Sequence, residues 1–327
     1  MSTVETNGKE GVMNARPVVQ MDDVSVSFGP IRAVDGVSLT VERGEVFGFL
    51  GPNGAGKTTT IRLLLGLLVP TAGRAEVLGF DTRTQANAIR EHCGALLEHN
   101  GLYERMSARD NLEFQGRVWR RPAAQREARI EEMLTDIGLW ERRFDLVGKW
   151  SRGMKTKLAV ARAMFHRPEL IFLDEPSAGL DPVAAAALRQ DLDALAECEG
   201  VTIFLTTHNL AEAEKLCDRV GVVRNGKLLA IGTVDELSGR NGSVHAEIAG
   251  KGFNDAIVAA LRAMPDVASV RRENGHVSIE LERGTEVAPF VDMLVGCGVQ
   301  IEGVHKNEAS LEDVFLDLMQ EDKEGAR

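Results

Sequence analysis

The sequence lacks a hydrophobic run long enough to cross a membrane. A spanning helix needs about 18–20 apolar residues, whereas the longest apolar run, Leu63–Pro70, is short and contains a glycine. The polar residues 1–16 also lack the apolar stretch of a signal peptide. We therefore expect residues 1–16 to be a disordered leader, and the protein to be cytosolic unless a partner holds it at a membrane.

Cysteine is scarce, and its four positions show neither pairing nor metal-ligand spacing. They are Cys93, Cys198, Cys217 and Cys297. This scatter is typical of reduced thiols in a cytosolic protein.

A surplus of basic residues is also missing. Lys and Arg number 38 against 49 Asp and Glu, which gives a formal net charge of −11. This balance argues against a nucleic-acid partner, which usually needs a clustered basic face. It does not argue against a nucleotide, because backbone amides and one lysine can hold phosphates locally.

Strand and helix signals alternate through the first two thirds of the 327 residues. Apolar segments at Glu45–Leu50, Leu170–Leu173 and Val201–Thr206 read as strands, and Lys57–Leu68 and Pro182–Ala196 read as helices. This alternation predicts a largely parallel sheet covered on both faces.

Further signals mark the ends of this region and a segment inside it. Strands at Val18–Val26 and Val37–Val41 flank a turn, and Asn225-Gly226 indicates a hairpin. Ser107 begins a capping-box pattern, and Ala123–Ile137 has helical spacing. We expect a helical subdomain between strands here.

The last part of the chain has a pattern of its own. Residues 238–243 (SGRNGS) predict a linker. Beyond them the order of strands and helices is β-α-β-β-α-β, which predicts a ferredoxin-like arrangement. A final amphipathic helix is expected over Ser310–Met319.

A glycine-rich motif of the form G-x-x-x-x-G-K-[ST] follows a predicted strand and opens a predicted helix. It consists of Gly51, Pro52, Asn53, Gly54, Ala55, Gly56, Lys57, Thr58 and Thr59. The glycines allow successive N–H groups to turn inward and form an anion nest. Lys57 can then reach the β- and γ-phosphates of ATP, and the Thr58 hydroxyl can coordinate Mg²⁺. A chance glycine-rich turn is the alternative, which the complete motif and its strand–loop–helix setting disfavour.

Two carboxylates, Asp174 and Glu175, stand at the end of an apolar strand. Burying unpaired charge is costly, so a cation or a reacting water would explain them there. We expect Asp174 to join a Mg²⁺ shell and Glu175 to orient and deprotonate an attacking water. Taken alone, such a pair would as readily form a surface turn.

Two further positions are less specific. His208 follows a strand that we expect to lie beside the strand ending at Asp174, which favours a role as a sensor of the γ-phosphate over an ordinary surface histidine. Ser151 and Gly153 precede a helical stretch. Ser151 is either an ordinary N-cap or part of a second phosphate-binding helix N-terminus, and spacing alone leaves both open.

The order of these motifs over residues 18–237 resembles that of the ATP-binding subunits of ABC transporters. The matching segments are Gly51–Thr58 for Walker A, Leu170–Glu175 for Walker B, Trp150–Met154 for the signature, Ser177–Asp181 for the D-loop, and His208 for the switch histidine. The resemblance implies that Phe28 stacks on adenine, where a core strand aromatic is the alternative. It also implies that Asp181 belongs to the nucleotide site.

The chain departs from the family pattern in two motifs. The signature keeps its serine and second glycine but has Arg152 and Met154 for the usual glycine and glutamine, a form similar to exporters of the drug-resistance type. Glu98 stands at the Q-loop position, where glutamine is expected and where some lantibiotic exporters are similar. Glu98 can still bind Mg²⁺ or its water, but it adds negative charge near the phosphates. Ser310–Phe315 resembles the ending of daunorubicin-type exporter subunits.

The resemblance implies a fold: an α/β P-loop NTPase of the ABC type with a mainly parallel sheet and an N-terminal antiparallel subdomain. We expect this ATP-binding domain over residues 17–237, with its helical insert at about 99–152. A small α+β accessory domain, ferredoxin-like, would then occupy residues 244–327.

The resemblance also implies a function. The chain would be the ATP-hydrolysing subunit that energises an exporter of a drug, antibiotic or peptide through a separate membrane permease, at the cytoplasmic side of the cell membrane. Two subunits would clamp two ATP molecules. Ser151 and Gly153 of one subunit would cap the γ-phosphate held by Lys57 of the other.

Two alternatives remain open. One is a soluble ABC-type ATPase coupled to a process other than transport. The other is an ATP-binding regulatory or immunity module without turnover. The intact set Asp174, Glu175 and His208 disfavours the second alternative, whereas Glu98 and Arg152 leave it open.

Overall fold

Among the residues that the structure describes, ten strands belong to two sheets in the first part of the chain, and four strands form a third sheet in the last part. The computed structural model describes residues 16–238, 243–273, 275–282, 285–308, 311–312 and 314–315. The chain divides into two units between Ile231 and Gly232. Almost all of the predicted leader, most of the predicted linker and most of the helix predicted over Ser310–Met319 lie outside the described residues.

The strands of the described residues are numbered in chain order. They are β1 Val19–Phe28, β2 Ile31–Val41, β3 Val46–Leu50, β4 Ala72–Val77, β5 Phe80–Asp81, β6 Cys93–Leu96, β7 Leu170–Asp174, β8 Thr202–Thr207, β9 Arg219–Arg224, β10 Lys227–Thr233, β11 Ser243–Lys251, β12 Val267–Glu273, β13 His276–Glu282 and β14 Gln300–Glu308.

The helices are numbered in the same way. They are α1 Lys57–Leu64, α2 Ala86–His92, α3 Ala108–Val118, α4 Ala123–Asp136, α5 Arg152–Ala163, α6 Pro182–Glu199, α7 Leu210–Leu216, α8 Val234–Ser238, α9 Asp255–Arg262 and α10 Ala288–Gly296.

The central sheet of the first unit has the order β10-β9-β3-β8-β7-β6, and its five strands from β9 to β6 are parallel. This confirms the predicted mainly parallel sheet. Phe47, Phe172 and Phe204 sit in register on three neighbouring strands, and their buried rings lie 5.4 Å and 5.6 Å from centroid to centroid. Each fully buried ring contributes about 1.5–3 kcal/mol, so the stack fixes the register of β3, β8 and β7.

That register brings the carboxyl ends of three strands to one edge. Leu50 pairs with Thr207, and Asp174 pairs with Thr206. The glycine-rich loop leaves β3 at this edge, so the fold places the phosphate loop beside the acidic pair.

The antiparallel sheet of the first unit has the order β2-β1-β4-β5. The N-terminal antiparallel subdomain is thereby confirmed, and its hairpin turns at Gly29 and Pro30 as expected. Strands β4 and β5 were missed because they are short and have a weak apolar pattern. Helix α1 ends at Leu64 instead of the predicted Leu68. Gly66 adopts a left-handed φ of 64°, and the Leu67 N–H donates to the Arg62 carbonyl, a geometry that stops a helix.

The predicted helical segment is formed by α3, α4 and the start of α5. Ser107 caps α3 as predicted: its hydroxyl accepts from the Asp110 N–H and donates to the Asp110 carboxylate. Helix α4 ends where Gly138 takes a left-handed φ of 71°.

The second unit has the sheet order β12-β13-β11-β14, with every pair antiparallel. With α9 between β11 and β12, and α10 between β13 and β14, this confirms the predicted ferredoxin-like topology. Its core contains Ile248, Leu261, Ile279 and Phe290.

The structure bears on the four cysteines and on the absence of a long apolar segment. All four cysteines are free, and burial raises the pKa of the Cys93 thiol to about 12. None of the helices in the described part of the chain combines the length and the apolar character that spanning a membrane demands.

A stacked pair of rings ties the helical segment to the central sheet. Trp119, just after α3, and His166, just after α5, stack with centroids 4.0 Å apart and planes 12° apart. The Nε2 atom of His166 donates to the Cys93 carbonyl over 3.2 Å, at the start of β6. Burial lowers the pKa of His166 from 6.5 to about 4, so the imidazole is neutral in the fold.

This neutral histidine predicts an acid-sensitive first unit. Between about pH 6.5 and about pH 4, His166 is protonated in the unfolded chain but neutral in the folded chain. The free energy of unfolding therefore falls as the pH drops through this window, with a slope of up to about 1.4 kcal/mol per pH unit. His166→Phe keeps the stack and removes the titration, so it should make the fall shallower. Urea unfolding followed by tryptophan fluorescence at pH 7 and pH 5 measures this.

The exposed His99 provides the control, because it lies outside the stack and is not among the charges that shift the pKa of His166. His99→Phe should leave the pH dependence as it is in the unchanged chain. An equal slope in the His166→Phe variant and the unchanged chain would contradict the assignment.

Candidate functional site

The glycine-rich loop at residues 51–59 passes so close to its neighbours that two of its positions exclude any side chain. A Cβ atom at Gly51 would lie 2.3 Å from the Val223 carbonyl oxygen, and one at Gly56 would lie 2.2 Å from that of Ala33. Gly56 also has a left-handed φ of 105°, which L-residues rarely adopt. The loop is therefore held between β9 and β2, and α1 begins directly after it.

Lys57 supplies the positive charge of the loop, and several hydrogen bonds hold its side chain in place. Its side chain is 6% exposed, and its Nζ atom donates to the carbonyls of Gly51 at 2.7 Å and Pro52 at 3.2 Å. The same atom lies 3.0 Å from Oε1 of Glu175, which makes an ion pair. The structure thus brings the predicted phosphate-binding lysine and the predicted catalytic carboxylate into direct contact.

Asp174 is a buried carboxylate with a hydrogen-bond donor on each oxygen. Its Oδ2 atom accepts from the Thr58 hydroxyl at 2.7 Å, and its Oδ1 atom accepts from the Thr206 hydroxyl at 2.6 Å. The two residues predicted to hold Mg²⁺ are therefore adjacent, with hard oxygen atoms that suit that ion.

Thr206 was missed by the sequence reasoning. It is fully buried, and its hydroxyl accepts from the Glu175 N–H at 3.1 Å while it donates to Asp174. One side chain thereby fixes both carboxylate positions. The sequence signal that could have identified Thr206 was its polar side chain at the end of an otherwise apolar strand. Its partner, Asp174, is identified only by the register of the two strands.

Glu175 has an unusual backbone conformation, with a left-handed φ of 51°. Such a conformation costs about 1–2 kcal/mol for a residue with a side chain. The Thr206 bonds offset that cost. The other carboxylate oxygen, Oε2, accepts from Nδ1 of His208 at 2.8 Å. Glu175 is therefore held between Lys57 and His208.

A pocket of about 300 Å³ opens at this point. Its lining consists of Ala33, Asn53, Gly54, Ala55, Gly56, Lys57, Thr58, Thr59, Glu98, Asp174 and Glu175. Glu98, which only the family resemblance had indicated, lies in this lining. Among the described residues there is no cluster of three or more His, Cys, Asp or Glu side chains suited to a metal. Mg²⁺ takes one or two carboxylates and completes its shell with phosphates and waters, and the Asp174 carboxylate and the Thr58 hydroxyl in the lining are oxygen ligands of this kind.

Six predicted nucleotide-binding residues do not line this pocket: Gly51 and Pro52 at the start of the loop itself, and four residues from other segments. Ser151 caps α5 by accepting from the Met154 N–H at 3.3 Å, and Asp181 caps α6 by accepting from the Val183 and Ala184 N–H groups. Gly153 packs against the start of α6. Phe28 is 51% exposed at the end of β1, which argues against the core aromatic that was its alternative.

The unusual signature residue Arg152 reaches the D-loop of its own chain. The Arg152 guanidinium packs directly against Gly179. A Cβ atom on Gly179 would lie only 2.2 Å from the Nη1 atom of Arg152. Gly179 has a left-handed φ of 70°. The signature and the D-loop are therefore in direct contact within one subunit.

Comparisons with known proteins agree with this geometry. A family model described as "ABC transporter" matches residues 34–178. The bacitracin transport ATP-binding protein of Bacillus licheniformis is 34% identical over 302 residues, 92% of this chain and 97% of that protein. The daunorubicin resistance ATP-binding protein of Streptomyces coeruleorubidus is 35% identical over 319 residues, 94% of this chain and 98% of that protein. A solved structure of an ATP-binding subunit of an ABC transporter is 31% identical, with a TM-score of 0.62 over 69% of this chain and 93% of that one.

The position of Thr206 leads to a prediction. Thr206→Val keeps the shape of the side chain but removes the hydroxyl that holds Asp174 and the Glu175 backbone. We expect the rate of ATP hydrolysis to fall by about 10–100-fold, the range found for residues that orient metal ligands. Thr206→Ser should restore most of the rate. Steady-state phosphate release at saturating ATP and Mg²⁺ measures the effect.

The same strand supplies the control. Thr202 is equally buried at the other end of β8, where its hydroxyl accepts from the Gly44 N–H at 2.8 Å. Thr202→Val should cost stability without a comparable loss of hydrolysis. Equal losses in the two variants would show that the effect of Thr206 is merely structural.

Proposed function

This chain belongs to the family of ATP-binding proteins of ABC transporters, and we propose that it powers the export of an antibiotic or another drug through a separate membrane permease. Membership of this family makes the chain an ATPase. The observation that carries the chemistry is the single constellation at the sheet edge, in which Lys57, Glu175 and His208 are joined in a row.

The proposal of export rests on relatives that match nearly from end to end. The bacitracin transport and daunorubicin resistance proteins are covered to 97% and 98% of their lengths, and a linearmycin resistance ATP-binding protein of Bacillus subtilis to 98% at 30% identity. These alignments extend over both units. The second unit is therefore part of the likeness to drug-resistance proteins.

ATP would bind with its phosphates at the loop of residues 51–59 and with its Mg²⁺ at Thr58 and Asp174. Glu98 lines the same pocket and would meet the Mg²⁺ or its water. When bound, Mg²⁺ would neutralise phosphate charge. The Glu175 carboxylate would accept the proton of the attacking water, and His208 would hold that carboxylate in place through its 2.8 Å hydrogen bond.

Phosphate binding has to compete with the ion pair between Lys57 and Glu175. The Nζ atom of Lys57 already contacts two carbonyls and one carboxylate oxygen. A γ-phosphate carries more negative charge than a carboxylate, so it would displace Glu175 from Lys57. The displaced carboxylate then becomes free to act as a base.

A second subunit would complete the site. Ser151 and Gly153 lie outside the pocket of their own chain, yet Ser151 begins a helix whose N-terminal amides favour an anion. In the proposed dimer this helix meets the γ-phosphate bound by the partner subunit. Phe28, exposed at the end of its strand, is available to stack on adenine.

The permease would contact the helical segment. Tyr103 and Phe114 form an edge-to-face pair with centroids 5.1 Å apart, and both side chains are exposed, as is Val118 one turn further along α3. An exposed apolar group of this kind is typical of a protein interface. We place the subunit at the cytoplasmic side of the cell membrane, held there by its permease.

Glu175→Gln provides the test of the proposed catalytic base. The amide cannot accept the proton of water, so hydrolysis should fall by about 10²–10⁴-fold, while ATP binding persists. ATP should then trap a dimer that size-exclusion chromatography separates from the monomer.

Glu169→Gln is the matched control for this variant. Glu169 directly precedes β7, whereas Glu175 directly follows it, and Glu169 pairs with Arg43 at the surface. This control should hydrolyse ATP normally. Full turnover in the Glu175→Gln variant would refute the assignment of the base.

Export is tested in the natural host. Deleting the gene should raise sensitivity to at least one member of an antibiotic panel that includes bacitracin and daunorubicin. The intact gene should restore resistance, and the Glu175→Gln form should not. The tagged chain should also co-purify with a multispanning membrane protein from detergent extracts. Unchanged sensitivity together with purification of the chain alone would argue against the exporter.

A further inference from the structure

A cleft of about 300 Å³ lies along one face of α4, away from the ATP pocket. Its lining consists of Arg121, Gln125, Ala128, Arg129, Glu132, Phe165 and Arg167. None of these residues lines the pocket that contains Lys57. Four of them follow one another at helical spacing on α4, and the others come from the turns after α3 and α5. We call this the arginine cleft.

The arginine cleft is basic in a chain that is acidic as a whole. Arg121, Arg129 and Arg167 line it with a single carboxylate, that of Glu132, so positive charge is in excess by two. The chain as a whole carries a formal net charge of −11. Arg121 makes no ion pair within the described part of the chain. This local excess of positive charge favours the binding of an anion.

Arg129 is held in place with one donor unused. Its side chain is 12% exposed, its Nη1 atom lies 2.8 Å from Glu132, and its Nη2 atom donates to the Met164 carbonyl at 3.0 Å. Its Nε atom is buried and has no hydrogen-bond partner among the described residues. This largely buried guanidinium therefore contributes positive charge to the lining of the cleft, while its Nε atom is not exposed to a ligand.

The two turns that carry the other arginines are fixed against each other. The Trp119–His166 stack joins them, two residues before Arg121 and one residue before Arg167. Arg167 has a left-handed φ of 60°, where glycine or asparagine would be more favourable. Its Nη2 atom lies 3.1 Å from Glu132, which therefore positions both Arg129 and Arg167. The cations are thus arranged before any ligand arrives.

We propose that the arginine cleft binds a phosphate group in its dianionic form, supplied as free phosphate or as the phosphomonoester headgroup of a lipid such as phosphatidate. A phosphate monoester carries a charge of about −1.5 to −2 at pH 7, which matches the excess positive charge of the cleft. Guanidinium groups bind phosphate oxygens through two parallel hydrogen bonds, and three guanidinium groups line this cleft. A cleft of this size holds the phosphate group and the first atoms attached to it.

Isothermal titration with inorganic phosphate tests the proposal on the full chain. The glycine-rich loop also binds phosphate, so the titration uses a Lys57→Ala background in which that loop has lost its cation. One binding event should remain. Arg121→Gln and Arg167→Gln should each weaken it by at least about tenfold, the effect of losing one charge-assisted hydrogen bond. Arg117→Gln is the control, because this exposed arginine pairs with Glu113 outside the cleft.

A second variant removes no contact made by the arginines and leaves the fold intact. Gln125→Glu adds a negative charge to the lining at an exposed helical position, and it should weaken phosphate binding. Ala124→Glu adds the same charge one residue earlier, at an exposed position outside the lining, and should leave binding unchanged.

Vesicles distinguish the two sources of the phosphate. Co-sedimentation with phosphatidylcholine vesicles that contain phosphatidate, but not with pure phosphatidylcholine, would identify the lipid headgroup, provided that the arginine variants no longer sediment. Binding of inorganic phosphate without sedimentation would identify the free anion. Absence of both, or equal binding by the arginine variants and their background chain, would overturn the proposal.

Discussion

The buried ammonium group of Lys57 is the constraint on which the catalytic end of the first unit depends. An unpaired charge in that position would be strongly destabilising, so two carbonyls and the Glu175 carboxylate surround it. Each of these partners imposes a further requirement. Gly51 must lack a side chain to pass Val223, and Glu175 must adopt a left-handed backbone conformation. In the proposed mechanism the phosphates of ATP replace Glu175 as the counter-charge, so substrate binding itself releases the base.

The parallel sheet is what allows one lysine to meet partners from three distant segments. Lys57, Glu175 and His208 follow β3, β7 and β8, and these strands end at one edge because they run in the same direction. The phenylalanine stack lies at the middle of the same strands. A slip of one residue would move the ring of the displaced strand to the opposite face of the sheet, and it would also separate Asp174 from Thr206. The packing that stabilises the sheet therefore sets the hydrogen bonds of the site.

Sequence reasoning predicted features that depend on local pattern and missed those that depend on register or on distant segments. The phosphate loop, the acidic pair and the β-α-β-β-α-β order were predicted because spacing within a short window determines them. Thr206 was missed because its role depends on the residue opposite, which no window contains. The cations of the arginine cleft were missed because three separate segments supply them. Ser151 of the signature depends on both kinds of information. Local pattern predicts that it caps α5, as the structure shows, whereas its proposed phosphate contact involves a second subunit.

The helical segment and the sheet are joined by a short series of contacts that passes from the arginine cleft to the ATP pocket. Arg167 follows His166, and His166 donates to the carbonyl of Cys93 at the start of β6. Two residues beyond the end of β6 stands Glu98, which lines the pocket with Lys57. This route is built from a hydrogen bond and a strand of the central sheet, both of which resist small displacements. Glu98, the residue that departs from the family's Q-loop pattern, is thus joined to the turn at Arg167 through His166 and β6.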